Sequence, residues 1–166
     1  MSVYRRETRV EAPLDRVWAF HSTTDGLEAL TPDFMGLEIE AVYGPDGEPD
    51  PEVLVEGSRI ETSTRPFGVV PGGGWVSVIE RREDHDGSAF FIDTMDEGPF
   101  PHWEHTHTFH ADGDATVIRD RVEYQLPLGG VGRAVGPLAW IGFEPMFRYR
   151  HRRTKELLEG GESPPA

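Results

Sequence analysis

Residues 3–11 (VYRRETRVE) alternate strictly, with Tyr4, Arg6, Thr8 and Val10 on one face, which is the period-two pattern of a half-buried strand. Ala12-Pro13 opens a different pattern, with Leu14, Val17, Trp18 and His21 at helical spacing. Proline suits a first helical turn, where its missing N–H costs nothing. Ser22-Thr23-Thr24-Asp25 interrupts that helix, and a short second one over 25–32 ends at Pro32. Six further strands are predicted over 36–44, 57–65, 74–83, 88–96, 101–111 and 115–127, separated by Gly, Pro and Asp turns. The loops over 45–56 and 66–74 are long, and long loops in compact domains are often functional. The apolar stretch 66–75 (PFGVVPGGGW) would close a pocket or meet a partner. From 130 onward the chain reads as one long helix, with Trp140, Phe143, Phe147, His151 (or Arg150), Thr154 and Leu158 roughly on one face. Gly160-Gly161 ends it. Residues 1–160 are expected to form one domain, with a disordered tail over 161–166.

The order strand, two short helices, six strands, long helix predicts an α+β fold. A meandering antiparallel sheet cannot bury its inner face alone, and a C-terminal helix lying across it can. A curved sheet of about seven strands wrapped around such a helix leaves a concave, mostly apolar space, where ligand sites tend to lie.

Composition narrows the function classes. The absence of cysteine excludes disulfides, thiolate metal sites and cysteine nucleophiles. The start, MSVYRRETRV, has no apolar run, so no secretory leader is expected. The most apolar stretch, 134–143, is short and broken by Gly and Pro, so no membrane span is expected and the protein is expected in the cytoplasm. Thirty acidic residues against sixteen basic give a net charge of −14, and Lys155 is the sole lysine. Nucleic acid is not an expected partner, because phosphate contacts need a basic surface. The acidity is read as adaptation to high salt, which screens the self-repulsion.

The segments VEAPLDRVWAFHSTTDGLEALTP (10–32), GPFPHWEHTHTF (98–109), DRVEYQLPLG (120–129) and PMFRYRHRRTKELL (145–158) together resemble the START-like superfamily. That group includes polyketide cyclases and dehydrases, lipid-transfer START domains and the birch-pollen allergen fold. The resemblance covers nearly the whole chain. It implies a helix-grip fold, whose members include transporters, enzymes and sensors.

Four histidines, His102, His105, His107 and His110, fall within nine residues of the strand 101–111. Alternation splits them. Trp103, His105, His107 and Phe109 share the face with large apolar residues at both ends, which is expected inside. His102 and His110 share the polar face with Glu104, Thr106 and Thr108. On the next strand Ile118, Asp120, Val122 and Tyr124 are expected inside, and Val117, Arg119, Arg121 and Glu123 outside. A tight turn near Gly113-Asp114 makes the two strands a hairpin. Phe109 opposite Ile118 sets His107 against Asp120, and Phe109 opposite Thr116 sets His105 against it. In both registers an imidazole lies across from the carboxylate, at about 5 Å between β-carbons.

Three readings fit those residues. His105-x-His107 with Asp120 is one arrangement for a metal ion, but no third histidine stands at a matching position, so no metal and no cofactor are expected. His105 or His107 beside Asp120 is also a proton-handling pair of the kind a cyclase or dehydratase needs. Finally, the three side chains satisfy one another and orient a ligand without chemistry. The expected function is binding of a small hydrophobic or amphipathic molecule between sheet and helix, with the enzyme as alternative. Trp103, Tyr124, Trp140, Phe143 and Phe147 are expected to form the apolar wall, and His105, His107 and Asp120 the polar anchors. The family resemblance also places His21 near the cavity, although a histidine ending a helix is equally explained by the helix dipole. Asp93 is inward or outward with equal support, because Phe90 and Ile92 make the opposite face as apolar as Phe91 and Met95 make its own. The basic run 148–153 is read as an ordinary helix C-terminal half, and the glycines 72–74 lack the lysine of a phosphate loop.

Overall fold

The computed structural model describes residues 1–65, 73–127 and 129–159. The stretch 66–72 of the expected pocket-closing loop, the tail 161–166 and the side chain of Trp140 lie outside what it describes.

Strand β1 (Ser2–Val10) buries Tyr4 and Val10 and half-buries Arg6 and Thr8, as its alternation predicts. Helix α1 (Leu14–His21) follows directly on Pro13, and Thr116 Oγ1 fastens that corner by donating to Ala12 O at 2.8 Å. Helix α2 (Thr24–Ala29) is capped by Thr23, whose hydroxyl oxygen accepts from Gly26 N at 3.1 Å. The two helices meet closely there: a β-carbon at Gly26 would lie 2.0 Å from Phe20 O, so only glycine fits. A 3₁₀ turn (Asp33–Met35) leads into β2 (Leu37–Tyr43), β3 (Arg59–Thr64), β4 (Gly74–His85), β5 (Ser88–Glu97), β6 (His102–Asp112) and β7 (Ala115–Gln125).

The strands form one antiparallel sheet in the order β1-β7-β6-β5-β4-β3-β2. Of the two hairpin registers the sequence allows, β6 and β7 adopt the one pairing Phe109 with Ile118 and His107 with Asp120. Gly113, at φ +62°, supplies the left-handed position of the connecting turn. The next pairing settles Asp93. Phe91 lies opposite His107 and Asp93 opposite His105, so Asp93 shares the inner face. Phe90 faces outward, beneath the Arg81 guanidinium at 5.4 Å. A bulge between Ile79 and Arg81 on β4 adds one residue, which turns both Ile79 and Arg82 inward across from Asp93 and Phe91.

The single long helix expected from 130 onward is instead three pieces: α3 (Gly129–Val135), a 3₁₀ turn (Gly136–Ala139) and α4 (Trp140–Glu159). Gly136-Pro137 explains the break, since proline offers no N–H and disfavours helical backbone before it. Pro145 lies within two turns of the start of α4, where it removes one hydrogen bond and the helix continues.

Helix α4 lies across the inner face of the sheet, giving the α+β helix-grip arrangement. Two apolar clusters hold it there, and a third packs under the far edge of the sheet. Phe147 packs with Tyr4, Val122 and Tyr124, while Leu158 packs with Phe109, Ile118, Val10, Val17 and Phe20. Val42, Leu54, Ile60 and Ile79 form the third under β2–β4. Among the described residues, no helix is long and apolar enough to cross a membrane. Phe147 is fully buried, with ring contacts to Tyr4 at 5.0 Å and His105 at 5.2 Å. Phe147→Ala is therefore expected to lower unfolding stability by about 3–5 kcal/mol, read from urea denaturation at neutral pH.

Candidate ligand cavity and buried histidine cluster

A cavity of about 440 Å³ opens between α2, the 3₁₀ turn after it, strands β3–β6 and α4. Its apolar side is made by Leu27, Leu30, Leu54, Ile60 and Ile79. Trp75, Phe100, Trp103 and Phe143 stand on the other side, with Phe100 and Trp103 in ring contact at 5.2 Å. One end is polar: His21, Asp93, His105, His107 and Arg150 all border the space.

The sequence-derived candidates divide cleanly. His21, Trp103, His105, His107, Phe143 and Phe147 border the cavity. Asp120 and Tyr124 do not. Asp120 lies behind the imidazoles, 4% exposed, and serves them instead of a ligand. Tyr124 is 1% exposed and donates its hydroxyl proton to Gly136 O at 2.8 Å, so it anchors the turn before α4. Three residues were not among the candidates. Asp93 was undecided because both faces of β5 look alike. His151 was visible only as one position on the inner stripe of the helix. Arg150 looked like part of an ordinary basic run.

Asp120 is the hub. Its Oδ1 accepts from His105 Nε2 at 2.9 Å and meets His107 Nδ1 at 3.0 Å. Its Oδ2 accepts from His151 Nε2 at 2.5 Å, which ties β7 to α4. His151 Nδ1 is buried without a hydrogen-bond partner among the described residues. On the cavity side, Asp93 Oδ2 lies 3.1 Å from His107 Nε2 and 3.6 Å from His105 Nδ1. The rings of His105 and His107 lie 3.6 Å apart, and His107 stacks on Phe91 at 4.0 Å.

The electrostatics follow from these contacts. Burial alone would raise the Asp120 carboxyl, but the three imidazoles hold it well below the ordinary range. Burial acts likewise on Asp93, and His105 and His107 outweigh it, again lowering the carboxyl. The histidines split. Burial lowers His105, reinforced by the neighbouring His107. Burial opposes the charge on His107 as well, yet bonds to both Asp120 and Asp93 raise it. Both nitrogens of His107 meet carboxylate oxygens, and two acceptors require two donors. His21 differs: burial pushes it down to about 3, against the pull of its Nδ1–H bond to Val17 O at 2.8 Å. It is a neutral imidazole whose Nε2 is left as an acceptor.

Arg150 is half-buried, and burial lowers its pKa while Asp120 and Asp93 act across space to hold its charge. No hydrogen bond or ion pair joins its guanidinium to another described side chain.

No protein-family model and no curated protein sequence matches the chain. Solved structures match it along almost its whole length at low identity. A START superfamily protein from Mycobacterium smegmatis is 16% identical with TM-score 0.60, the match covering 93% of this chain and 98% of that one. Norcoclaurine synthase from Thalictrum flavum, in complex with dopamine and hydroxybenzaldehyde, is 20% identical with TM-score 0.64, covering 98% of this chain and 88% of that one. The di-domain ARO/CYC protein BexL of the BE-7585A biosynthetic pathway is 18% identical with TM-score 0.58, covering 96% of this chain and 47% of that one.

Two measurements probe the cluster. Asp120→Ala leaves three imidazoles without their shared acceptor and is expected to cost about 3–5 kcal/mol of unfolding stability, measured by urea titration at pH 7. His21 is depressed in the folded protein, so unfolding takes up a proton as pH falls from 6.5 toward 3, and stability drops in that window. The expected slope from this group is at most about 1.4 kcal/mol per pH unit. His107, Arg150 and Asp120 are the charged groups acting on it, and Arg150 and His107 reinforce the depression. His21→Gln should flatten the pH profile of unfolding by that group's share.

Proposed function

On its START-like helix-grip fold, we propose that this chain binds a small amphipathic molecule whose polar end is anionic. The observation that carries the reading is Arg150. A guanidinium stays charged, and bordering a largely apolar cavity with no carboxylate among the described residues within ion-pair distance, it lacks there the partner that burial ordinarily demands. A carboxylate, phenolate or enolate supplies one. The apolar group of such a molecule fits against Leu27, Leu30, Leu54, Ile60 and Ile79, with Trp103, Phe143 and Phe147 as the aromatic wall. His21 Nε2 then offers an acceptor to a ligand hydroxyl. A cavity of about 440 Å³ suits a molecule of one to three fused rings or a medium acyl chain. That solved neighbours on this fold include an enzyme seen with dopamine and hydroxybenzaldehyde is consistent with an aromatic ligand.

An acid–base enzyme of the cyclase or dehydratase type is the second reading, and one observation favours it. His105 Nδ1 faces the cavity side at 3.6 Å from Asp93, beyond hydrogen-bond reach, while Nε2 is fixed by Asp120. A neutral imidazole so oriented is a base available to a bound carbonyl compound. If chemistry occurs there, His105→Gln abolishes turnover but leaves ligand affinity within a few-fold.

Native mass spectrometry of the purified protein tests occupancy, and a panel of aryl and acyl carboxylic acids with their methyl esters tests the anion. Arg150→Met is expected to weaken acids by about tenfold or more, the worth of a charge-assisted hydrogen bond, and to leave the esters unchanged. Equal affinity for acid and ester in the unaltered protein would remove Arg150 from the reading.

A further inference from the structure

We propose that Asp93, His105 and His107 form a mononuclear site for a divalent transition-metal ion, with open coordination positions facing the cavity. Three donor atoms converge there: Asp93 Oδ2, His107 Nε2 and His105 Nδ1, all within 4.8 Å of one another. The measured edges are 3.1 Å from Asp93 to His107 and 3.6 Å from Asp93 to His105. Donors at zinc distances of about 2.0–2.2 Å from one ion lie roughly 3.0–3.6 Å apart, so both Asp93 edges already fall in the range for a shared ion.

Asp120 supplies the second argument. The far nitrogens, His105 Nε2 and His107 Nδ1, lie 2.9 and 3.0 Å from the same Asp120 oxygen. Without a metal, His107 Nε2 carries a second proton toward Asp93, while a neutral His105 that donates through Nε2 has a lone pair at Nδ1. A metal ion in place of that proton would be met by lone pairs on both near nitrogens, with Asp120 still accepting from the far ones. A proton on His107 Nε2 serves one of the two contacts and leaves His105 Nδ1 unserved at 3.6 Å. A divalent ion serves all three atoms at once. The outer carboxylate fixing the tautomer of each ligating imidazole is the usual support of such sites. Here one carboxylate does it for two, and His151 in turn holds the other oxygen of that carboxylate.

The donor set decides the metal class. Two imidazoles and one carboxylate suit zinc with a bound water, or ferrous iron with several open positions. Calcium and magnesium prefer all-oxygen shells. The ion's two positive charges match the two carboxylates, Asp93 and Asp120. Asp93, His105 and His107 border the cavity while Asp120 does not, so the remaining positions face the ligand space. Metal loading needs no organic ligand there, so this site and the anion reading for Arg150 succeed or fail separately.

Cobalt(II) is the probe, because its visible d–d bands report both binding and coordination number. Chelator-stripped protein titrated with cobalt(II) without air should develop bands that saturate at one equivalent, and zinc(II) or iron(II) should compete them away. Asp93→Asn and His107→Gln should each abolish the bands while far-ultraviolet circular dichroism shows the fold retained. His102→Ala/His110→Ala, on the outer face of β6, should leave them intact. Bands absent from folded, unaltered protein overturn the site, as do bands that persist in folded Asp93→Asn. Bands lost with His102 and His110 show adventitious binding by surface histidines and overturn it too. If either single variant fails to fold, His105→Gln is read the same way, and metal analysis of the unaltered protein before stripping gives the identity of the ion.

Discussion

The crossing of α4 over the sheet depends on the buried charge of Asp120. A carboxylate 4% exposed is tolerable only when its oxygens are met by hydrogen bonds, and here every donor among the described residues is an imidazole. Two come from β6 and one from α4. Apolar packing alone would let a helix slide or rotate against a sheet at small cost, because one aliphatic contact replaces another. The bond from His151 to Asp120 removes that freedom at one point. On either side of it Phe147 and Leu158 seal the interface in separate apolar clusters. Stability thus comes mainly from the clusters, and register from the polar centre.

That polar centre also shapes the cavity. An all-apolar inner face would be filled by long side chains reaching toward α4. Asp93, His105 and His107 instead bind one another along the sheet, so their volume stays close to the strands. The 3₁₀ turn over Gly136–Ala139 interrupts what would otherwise be one continuous C-terminal helix, and Tyr124 holds that turn through Gly136 O. Phe143 and Met146 then border the open space, with Phe143 in ring contact with Trp103 at 5.7 Å. The bulge on β4 brings Ile79 inward on the same side.

Much of this was legible in the chain, and the gaps have physical causes. Strict alternation through 103–109 and 118–124 assigned His105, His107 and Asp120 to one inner face, because two large apolar residues bracketed each set. The hairpin register was narrowed to two pairings, and which one holds depends on the turn at Gly113, whose conformation alternation does not encode. Asp93 could not be assigned, since Phe90 and Ile92 balance Phe91 and Met95. Only pairing with β6, a contact between strands, breaks that tie. Tyr124 faces inward as its alternation predicts but does not border the cavity, because inward direction does not say whether helix or cavity lies opposite. The third histidine was missed for a related reason. The two strands of the hairpin bring His105, His107 and Asp120 together locally, whereas His151 comes from a helix thirty-one residues beyond Asp120, at an angle the sequence does not state.

The charge distribution bears on what enters the cavity. The chain carries a net charge of −14, and the polar end of its cavity presents Arg150 beside an imidazole cluster paired with Asp93. An acidic exterior repels anions over roughly one Debye length, about 8 Å at physiological salt, so it does not steer an anionic ligand inward. For the proposed amphipathic anion, entry is then driven by burial of its apolar part, with the guanidinium acting only after desolvation. Inside, a lower dielectric strengthens that contact relative to the same contact in water. A small, fully hydrated anion gains nothing from the apolar wall and loses its water at Arg150, so it is excluded by the same physics. An amphipathic anion recovers on the aliphatic side what it gives up in solvation at the polar end. On the proposed reading the cavity selects on the combination of the two features, and high salt, by screening the exterior, raises the rate of entry without changing what is chosen.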